Sequence, residues 1–341
     1  MPRDRVRLLD VAERAGVSRS TASFVLTGRD MRISDEAKER VLRAAEELSY
    51  RPNLAARGLR TNVTNTIGLV SDTIASEQFA GEFIRGAVTA ALELDHLLVI
   101  GETDGKREVE ARVVRGMLDR QVDGFVHGTM FTRPVVLPEG ARKRPLVLLN
   151  CLTRRLPGPA VLPDEYQAGV AAARALVQAG HSRGIWLVGE RPRSLFAARE
   201  RGRGIRAELS AAGVRPAGTL DCLWSVQHAY EAVSALLASG RRPGACICLN
   251  DRIAMGVYQA VQGAGLDVPG DVSVVSFDDS DLASWLRPQL TSVALPHHEM
   301  GYLATELLIK RKLDPERLFV PMPLRSRASV GPPGTGPGRR R

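Results

Sequence analysis

The sequence has no apolar run long enough to cross a membrane and few cysteines. A membrane-spanning helix needs about 20 predominantly apolar residues, and no stretch of the 341-residue chain approaches that length. The four cysteines, Cys151, Cys222, Cys246 and Cys248, match no zinc-binding spacing. We therefore expect reduced, structural cysteines, and we expect neither a bound metal nor another cofactor.

Sequence signatures of nucleotide-dependent enzymes are also missing. No G-x-G-x-x-G fingerprint follows the first predicted strand, and no P-loop occurs. Gly202-Arg203-Gly204 lies late in the chain and lacks the third glycine. His297-His298-Glu299 has no second cluster of ligand residues that would complete a metal site. These absences favour a binding protein, with an enzyme on a Rossmann-like fold as the less favoured alternative.

Basic residues are concentrated at the beginning of the chain. Residues 1–60 contain thirteen Lys and Arg against nine Asp and Glu, so +4 of the net charge of +9 falls in this stretch. A local excess of positive charge attracts the phosphate backbone of nucleic acids. The length of 341 residues predicts two or three domains.

The stretch from Leu8 to Leu26 has the pattern of a helix-turn-helix. Leu8–Ala15 carries apolar residues at helical spacing, Gly16 supplies a turn, and Ser18 can cap a second helix. The second helix has one apolar side and one polar side, and polar side chains there can reach base edges. A third helix is predicted to begin at Ser34. Residues 1–50 are thus predicted to form a DNA-binding headpiece, although a generic three-helix bundle has the same pattern.

A short basic segment follows the headpiece. Residues 51–65 include a proline followed by Asn53, which suits a helix start, but such a helix is too short to be stable alone. Leu59, flanked by Arg57 and Arg60, suits a wedge between base pairs in the minor groove. We predict a hinge helix and linker that becomes helical when it docks on DNA.

From Thr66 onward, short apolar strands alternate with amphipathic helices. Two such sets predict an α/β core with two lobes, each containing a doubly wound parallel sheet. Ligands of such sheets bind beyond the carboxyl ends of the strands. Residues 331–341, rich in Gly and Pro and ending in three arginines, are predicted to be disordered.

Several motifs, in their order and spacing, resemble those of the LacI/GalR family of bacterial transcription regulators. They are Asp10–Ser18, Arg51–Asn53 with Ala56–Arg60, Thr66–Val70, Val122–Gly124, Ala179–His181, Asn250–Gly256 and Ser276–Asp279. The resemblance implies a homodimer with a core over residues 66–330 that is similar to periplasmic sugar-binding proteins. It implies an N-lobe of about 66–155 and 292–322, a C-lobe of about 160–288, and crossings near 150–164, 279–291 and 318–327.

The resemblance also implies which residues contact DNA. Arg19, Ser20 and Phe24 would read the major groove, and Leu59 would enter the minor groove. The full set of expected DNA contacts is Arg7, Ser18, Arg19, Ser20, Thr21, Ser23, Phe24, Asn53, Ala56, Arg57, Leu59 and Arg60. Arg7 replaces a threonine that usually caps the first helix and touches phosphate, so we expect that the cap is lost and that the arginine interacts with phosphate through its charge. Phe24 replaces a commonly polar reader, and it either packs in the core or contacts a thymine methyl group.

The implied effector site lies in the cleft between the lobes. Its expected residues are Phe79, Asp164, Arg201, Trp224, Asn250 and Asp278. A guanidinium, carboxylates, an amide and two aromatic rings suit a hydroxylated ring, because carboxylates accept hydrogen bonds from sugar hydroxyls and an indole stacks on an apolar ring face. Ordinary structural roles are the alternatives: Arg201 can pair with a neighbouring acid and Trp224 can belong to the core. Asp278 and Asn250 can cap helices.

These observations predict a cytoplasmic, effector-controlled repressor rather than an enzyme. Its expected partners are a pseudo-palindromic double-stranded DNA operator, a second copy of the chain and a small molecule, by default a sugar. A purine or another non-sugar metabolite is the alternative effector. We expect no membrane partner, because the beginning of the chain lacks the apolar core of a signal peptide. Effector binding would change the angle between the lobes and thereby the DNA-competent population, in a direction that the sequence leaves open.

Overall fold

The computed structural model describes residues 6–26, 32–50, 63–74, 81–155, 157–189 and 195–334. The chain forms two compact units, Met1–Thr64 and Asn65–Arg341. The helices of the described residues are α1 (Leu8–Ala15), α2 (Arg19–Leu26), α3 (Asp35–Glu47), α4 (Gly81–Glu93), α5 (Arg107–Asp119), α6 (Glu165–Gln178), α7 (Phe196–Ala211), α8 (Val226–Ala238), α9 (Asp251–Gly263), α10 (Asp281–Trp285) and α11 (His297–Ile309). The strands are β1 (Thr66–Ser71), β2 (Leu97–Glu102), β3 (Gly124–Pro134), β4 (Leu146–Leu152), β5 (Ala160–Pro163), β6 (Ile185–Val188), β7 (Gly218–Leu220), β8 (Ala245–Cys248), β9 (Ser273–Asp278), β10 (Thr291–Ala294), β11 (Arg317–Val320) and β12 (Leu324–Arg325).

The first unit is built from α1, α2 and α3 around a small apolar core. The buried side chains are Val11, Ala12, Ala15, Ala22, Val41, Ala44 and Ala45. Gly16 ends α1 with a φ of 65°, a left-handed conformation that a residue without Cβ adopts without strain. Ser18 Oγ accepts a hydrogen bond from the Thr21 N–H at 3.1 Å, and Ser34 Oγ caps α3. The predicted helix-turn-helix and third helix are confirmed.

Arg7 precedes α1 without capping it through its side chain. Instead, the Asp10 carboxylate accepts a hydrogen bond from the Arg7 backbone N–H at 2.7 Å. The predicted loss of a side-chain cap is confirmed, whereas a phosphate contact of Arg7 stays a prediction.

The second unit contains two six-stranded sheets, one in each lobe. The N-lobe sheet has the order β11-β5-β4-β3-β1-β2, and all of its neighbouring strands are parallel. The C-lobe sheet has the order β12-β10-β9-β8-β6-β7 and is parallel except for β12. Helices α4 and α11 pack together in the N-lobe, and the pairs α6–α7 and α8–α9 pack in the C-lobe. The predicted fold class is confirmed.

The central strands are apolar on both faces because helices cover both sides of each sheet. In the N-lobe, β4 is buried along nearly its whole length, and in the C-lobe β8 is fully buried.

The four cysteines are free and buried, as expected. Burial raises the pKa of Cys222 to about 11 and that of Cys246 to about 12, which keeps these thiols protonated. None of the helices in the described part of the chain has the length and apolar composition that crossing a bilayer requires.

The lobe boundaries differ from those that the resemblance implied. Ala160–Pro163 pairs with β4 and β11, so this strand belongs to the N-lobe and not to a C-lobe beginning at 160. Thr291–Ala294 pairs with β9 and belongs to the C-lobe, so an N-lobe segment starting at 292 is wrong. The second crossing therefore lies between β10 and α11 rather than near 279–291. The third lies between β11 and β12, inside the predicted range 318–327.

The C-terminal tail packs on the C-lobe further than expected. The Gly331 N–H donates to Ser273 Oγ at 3.1 Å, and the Gly331 carbonyl lies 3.0 Å from His181 Nε2. Disorder beginning at residue 331 is thus wrong. Residues 335–341 and the hinge segment 51–62 fall outside the described residues. The hinge residues among them are Asn53, Ala56, Arg57, Leu59 and Arg60.

A glycine in α11 permits close contact with α4. A Cβ at Gly301 would lie 2.1 Å from the carbonyl oxygen of Phe83. Gly301→Ala should lower the free energy of unfolding by about 1–3 kcal/mol, because the two backbones must separate. The control is Gly263→Ala, where a Cβ meets nothing within 4 Å and stability should stay level or rise by up to about 1 kcal/mol. Denaturant unfolding measures both, and equal stabilities would contradict the close packing.

Candidate ligand site and DNA-reading helix

Arg201 on α7 is buried, with 2% exposure, and each of its side-chain nitrogens has a partner. Nε donates to Glu165 Oε2 at 2.6 Å and Nη2 donates to Oε1 at 3.1 Å, which makes a bidentate pair. Nη1 donates to the Leu249 carbonyl oxygen at 2.5 Å and to Asp278 Oδ1 at 3.4 Å. Bidentate pairing fixes the orientation of a guanidinium as well as its charge. Arg201 is thereby held at the carboxyl ends of β8 and β9, where a parallel sheet binds ligands.

Two aromatic rings border this guanidinium. Arg201 Cζ lies 4.6 Å from the centroid of the Phe277 ring and 5.7 Å from that of Trp224. Trp224 Nε1 donates to the Gly189 carbonyl oxygen at 2.6 Å, and the ring packs in part against the C-lobe core. Trp224 therefore lies beside Arg201 and also packs against the core, whereas stacking on a ligand stays a prediction.

Asp278 combines a strained backbone with a perturbed carboxyl group. Its φ of 103° lies in a region that residues with a side chain rarely adopt, and such strain concentrates at functional sites. Burial raises the pKa of Asp278 to about 7, while the Arg201 guanidinium opposes this rise. The residue that precedes α10 is Ser280, so Asp278 is not the cap of that helix. Near neutral pH this carboxyl group can either accept a hydrogen bond from a ligand hydroxyl or donate one.

Asn250 and Asp164 cap helices. Asn250 Oδ1 accepts from the Ile253 N–H at 2.8 Å at the start of α9. Asp164 Oδ1 accepts from the Gln167 N–H at 3.1 Å at the start of α6. The capping alternative for Asn250 is confirmed. Asn250 still directly follows the Arg201 acceptor Leu249, so it stays next to the site.

Glu165 is the main contact of Arg201, and the sequence reasoning missed it. The expected cleft aspartate, Asp164, directly precedes it, but the carboxylates that pair with Arg201 among the described residues are those of Glu165 and Asp278. A carboxylate is favourable in the first turn of any helix, so its position alone did not single out Glu165. Phe79, also expected at the site, lies outside the described residues.

The carboxyl ends of the N-lobe strands carry a second polar group that was not predicted. Asp72, after β1, pairs with Arg133 at 3.0 Å and accepts from the Met130 N–H at 2.9 Å. Asn150, with a φ of 55°, donates through Nδ2 to the Thr129 and Met130 carbonyl oxygens at 3.1 and 2.9 Å. Asp72 and Asn150 lie at the ends of predicted strands, and ligands bind at that edge of a parallel sheet. Their position in the sequence could therefore have indicated them as candidate site residues.

In the first unit, the beginning of α2 presents polar side chains to solvent. Ser18, Arg19 and Ser20 are exposed, and Thr21, Ser23 and Phe24 are half-buried. An arginine can bind guanine through two hydrogen bonds, and serine pairs with several bases. Phe24 is half-buried, which is compatible both with packing in the headpiece core and with contact to a thymine methyl group.

Gly180–Gly184 has the G-x-S-x-G spacing of a hydrolase nucleophile elbow, which bears on the enzyme alternative. In that motif the serine lies on a turn from a strand into a helix. Here the segment runs from the end of α6 into β6, and His181 contacts Ser273 and Gly331. The serine therefore does not lie on a nucleophile elbow. Among the described residues no cluster of three His, Cys, Asp or Glu side chains could hold a metal ion.

Two family models match the chain in the order of its two units. Residues 7–53 match the bacterial regulatory proteins of the lacI family, and residues 173–330 match a periplasmic binding protein-like domain. The ribose operon repressor of Haemophilus influenzae is 32% identical over 316 residues, which cover 91% of this chain and 93% of that protein.

Solved structures show the same architecture. A lac repressor dimer bound to operator and the anti-inducer ONPF has a TM-score of 0.74 at 24% identity, covering 96% of this chain and 100% of that one. A LacI family regulator from Enterococcus faecium with bound ribose has a TM-score of 0.62 at 26% identity, covering 78% of this chain and 99% of that one. The identity to the repressor of Haemophilus influenzae extends over both units. The chain therefore belongs to the LacI family of bacterial regulatory proteins, which bind DNA and control transcription.

Proposed function

We propose that this regulator is a cytoplasmic, homodimeric repressor whose affinity for a pseudo-palindromic operator changes when a neutral sugar binds between its lobes. The observation that carries the sugar proposal is the hydrogen bonding of Arg201. A guanidinium has five N–H groups, and four of those on Arg201 already donate to Glu165, Leu249 and Asp278. At most one donor remains for a ligand, which suits a hydroxyl group better than a bidentate carboxylate or phosphate.

The charge at the site points the same way. Glu165 neutralises Arg201, and burial raises the pKa of the nearby carboxyl groups of Asp278 and Asp251. No net positive charge is left to attract an anionic ligand, whereas sugar hydroxyls can donate to Asp278 and an apolar ring face of the sugar can stack on Trp224. Ribose is the first sugar to test. One relative is a ribose operon repressor, and one similar structure contains bound ribose. A neutral purine base meets the same requirements and is the second candidate.

Exposed apolar side chains support the homodimer. The core unit exposes several large apolar side chains, among them Leu92 on α4, Leu97 on β2, Tyr230 on α8 and Trp285 on α10. Exposed apolar surface on a soluble protein can mark an interface with a partner. A two-fold dimer buries the same patch of both copies and matches the symmetry of a palindromic operator.

We assign DNA reading to the exposed start of α2 and, by analogy with the family, to Leu59 in the hinge segment. In the headpiece, Arg19 and Ser20 have the exposure that base contact needs. Leu59 as a minor-groove wedge is a proposal from the sequence alone.

Gel-shift titration against DNA upstream of the protein's own gene tests the regulator function, with random duplex as reference.

Arg19→Ala should weaken binding to the identified operator by about tenfold or more, because one bidentate contact to guanine is worth about 1–3 kcal/mol. Binding to random DNA should change far less, since that binding depends on phosphate contacts. Arg115→Ala on the exposed face of α5 removes the same charge from the core and should leave both affinities unchanged. An equal loss on operator and random DNA would contradict a base-reading role for Arg19.

Asp278→Asn should weaken binding of the sugar that stabilises the wild-type protein by about tenfold, since it replaces a charged acceptor by a neutral one. Thermal-shift screening of ribose, other neutral sugars and purine bases identifies that ligand, and calorimetry measures its affinity. Asp281→Asn, at an exposed carboxylate nearby, is the control and should bind normally. If Asp278→Asn bound the sugar with unchanged affinity, this carboxylate would not contact the ligand.

The same pair of proteins tests the pKa of Asp278. With a pKa of about 7, the carboxyl group is mostly protonated at pH 6 and mostly ionised at pH 8. An ionised carboxylate accepts a sugar hydroxyl more strongly, so wild-type affinity should rise over this range while Asp278→Asn stays flat. Parallel pH profiles for the two proteins would show that another group titrates.

A further inference from the structure

A second groove lies along the face of α7 that points away from Arg201. Arg199 and Arg203 are four residues apart and share one helix face, whereas Arg201, two residues from each, points to roughly the opposite side. The groove has a volume of about 340 Å³, and both Arg199 and Arg203 line it. Pockets for small ligands begin at about 300 Å³, so the groove is large enough for a small organic molecule.

The groove is built from both lobes. Arg317 and Phe319 project into it from β11 of the N-lobe sheet, where their two-residue spacing puts them on one side of the strand. Tyr166 on α6 and the arginines of α7 line it from the C-lobe. It therefore spans the lobes beside the first crossing, where β5 leads into α6.

Three guanidinium groups, Arg199, Arg203 and Arg317, line this groove together with the carboxylates of Asp164, Glu165 and Glu200. Glu200 is shared by two arginines, since it pairs with Arg199 Nε at 2.9 Å and also with Arg203 Nη1. Arg317 is a third guanidinium, exposed and without an ion pair in the part of the chain that the structure describes. The other carboxylates at the rim are engaged elsewhere, Glu165 with Arg201 and Asp164 at the start of α6.

Aromatic rings provide an apolar surface next to these charges. Arg199 Cζ lies 5.3 Å from the Phe196 ring centroid, and Arg203 Cζ lies 5.4 Å from that of Tyr166. Stacking of this kind orients the planar guanidinium groups. Phe319 is 51% exposed, which leaves a ring face open on the N-lobe side.

We propose that this groove is a second ligand site and that it takes a small organic monophosphate. The phosphate would lie between Arg199, Arg203 and Arg317, and the organic part would pack on Phe319. A phosphate monoester carries a charge of about −1.5 to −2 and three acceptor oxygens, which match three guanidinium groups that come from two lobes. The site beside Arg201 differs, because its single guanidinium has at most one free donor.

Such a ligand would act on the angle between the lobes. A phosphate held by Arg317 on one lobe and by Arg199 and Arg203 on the other favours the arrangement that brings these side chains together. A ligand shifts a conformational equilibrium by its preference for one state. Binding in the groove would therefore regulate the same motion that the sugar controls.

Calorimetry on the full chain tests the site, with phenyl phosphate, inorganic phosphate and phenol as probes. Phenyl phosphate should bind more tightly than inorganic phosphate, and phenol should not bind. Arg203→Gln and Arg317→Gln should each weaken phenyl phosphate binding by about tenfold or more. Phe319→Ala should remove the advantage of phenyl phosphate over inorganic phosphate. Arg215→Gln, at an exposed arginine after α7, is the charge-matched control and should bind like the wild type.

Two results would overturn the proposal. One is the absence of phenyl phosphate binding to the wild-type protein at millimolar concentration. The other is undiminished binding in the double variant Arg203→Gln/Arg317→Gln, which would locate the phosphate elsewhere, for example on the basic headpiece. Thermal unfolding of every variant checks that the loss of binding occurs in a folded protein. Because the probes and variants leave Arg201 and Asp278 intact, the outcome is independent of the sugar proposal.

Discussion

The ion pair between Arg201 and Glu165 fixes the geometry on which the proposed ligand site depends. Both side chains are nearly inaccessible, with 2% and 3% exposure, and they pair at 2.6 Å. Removing two charges from water costs several kcal/mol per ion, and the pairing offsets that cost only with good geometry. Close contact between α6 and α7 provides this geometry. A Cβ on Gly169 would lie 2.2 Å from the Arg201 carbonyl oxygen, and one on Gly204 would lie 2.0 Å from that of Tyr166.

The pair also links elements that are distant in the chain. Glu165 is the first residue of α6, directly after the crossing from the N-lobe, and Arg201 reaches the ends of β8 and β9 through Leu249 and Asp278. A displacement of α6 at the crossing would therefore move the Arg201 guanidinium of the proposed ligand site. The opposite face of α7 carries Arg199 and Arg203, so one helix separates the proposed sugar site from the proposed monophosphate site.

Predictions from the sequence succeeded where the structure depends on neighbouring residues. Ser18, Gly16 and Ser34 act through hydrogen bonds and turns only a few residues away, and the headpiece helices have the bounds that this local chemistry implies. The lobe assignment of β5 and β10 failed, because a short apolar strand looks the same whichever sheet it joins. Glu165 was missed for a related reason. Its partner lies 36 residues further along the chain, and no local pattern indicates that pairing.

A double-mutant cycle on Arg201 and Glu165 tests the account most directly, with the free energy of unfolding as the first readout and the sugar response as the second. Arg201→Ala alone should lower the free energy of unfolding by about 3–5 kcal/mol, because it leaves the Glu165 carboxylate buried without a partner. Adding Glu165→Gln should restore a large part of that stability, because the charge is gone, while the sugar response stays lost. Additive effects on stability, or a sugar response that survives Arg201→Ala, would contradict the account.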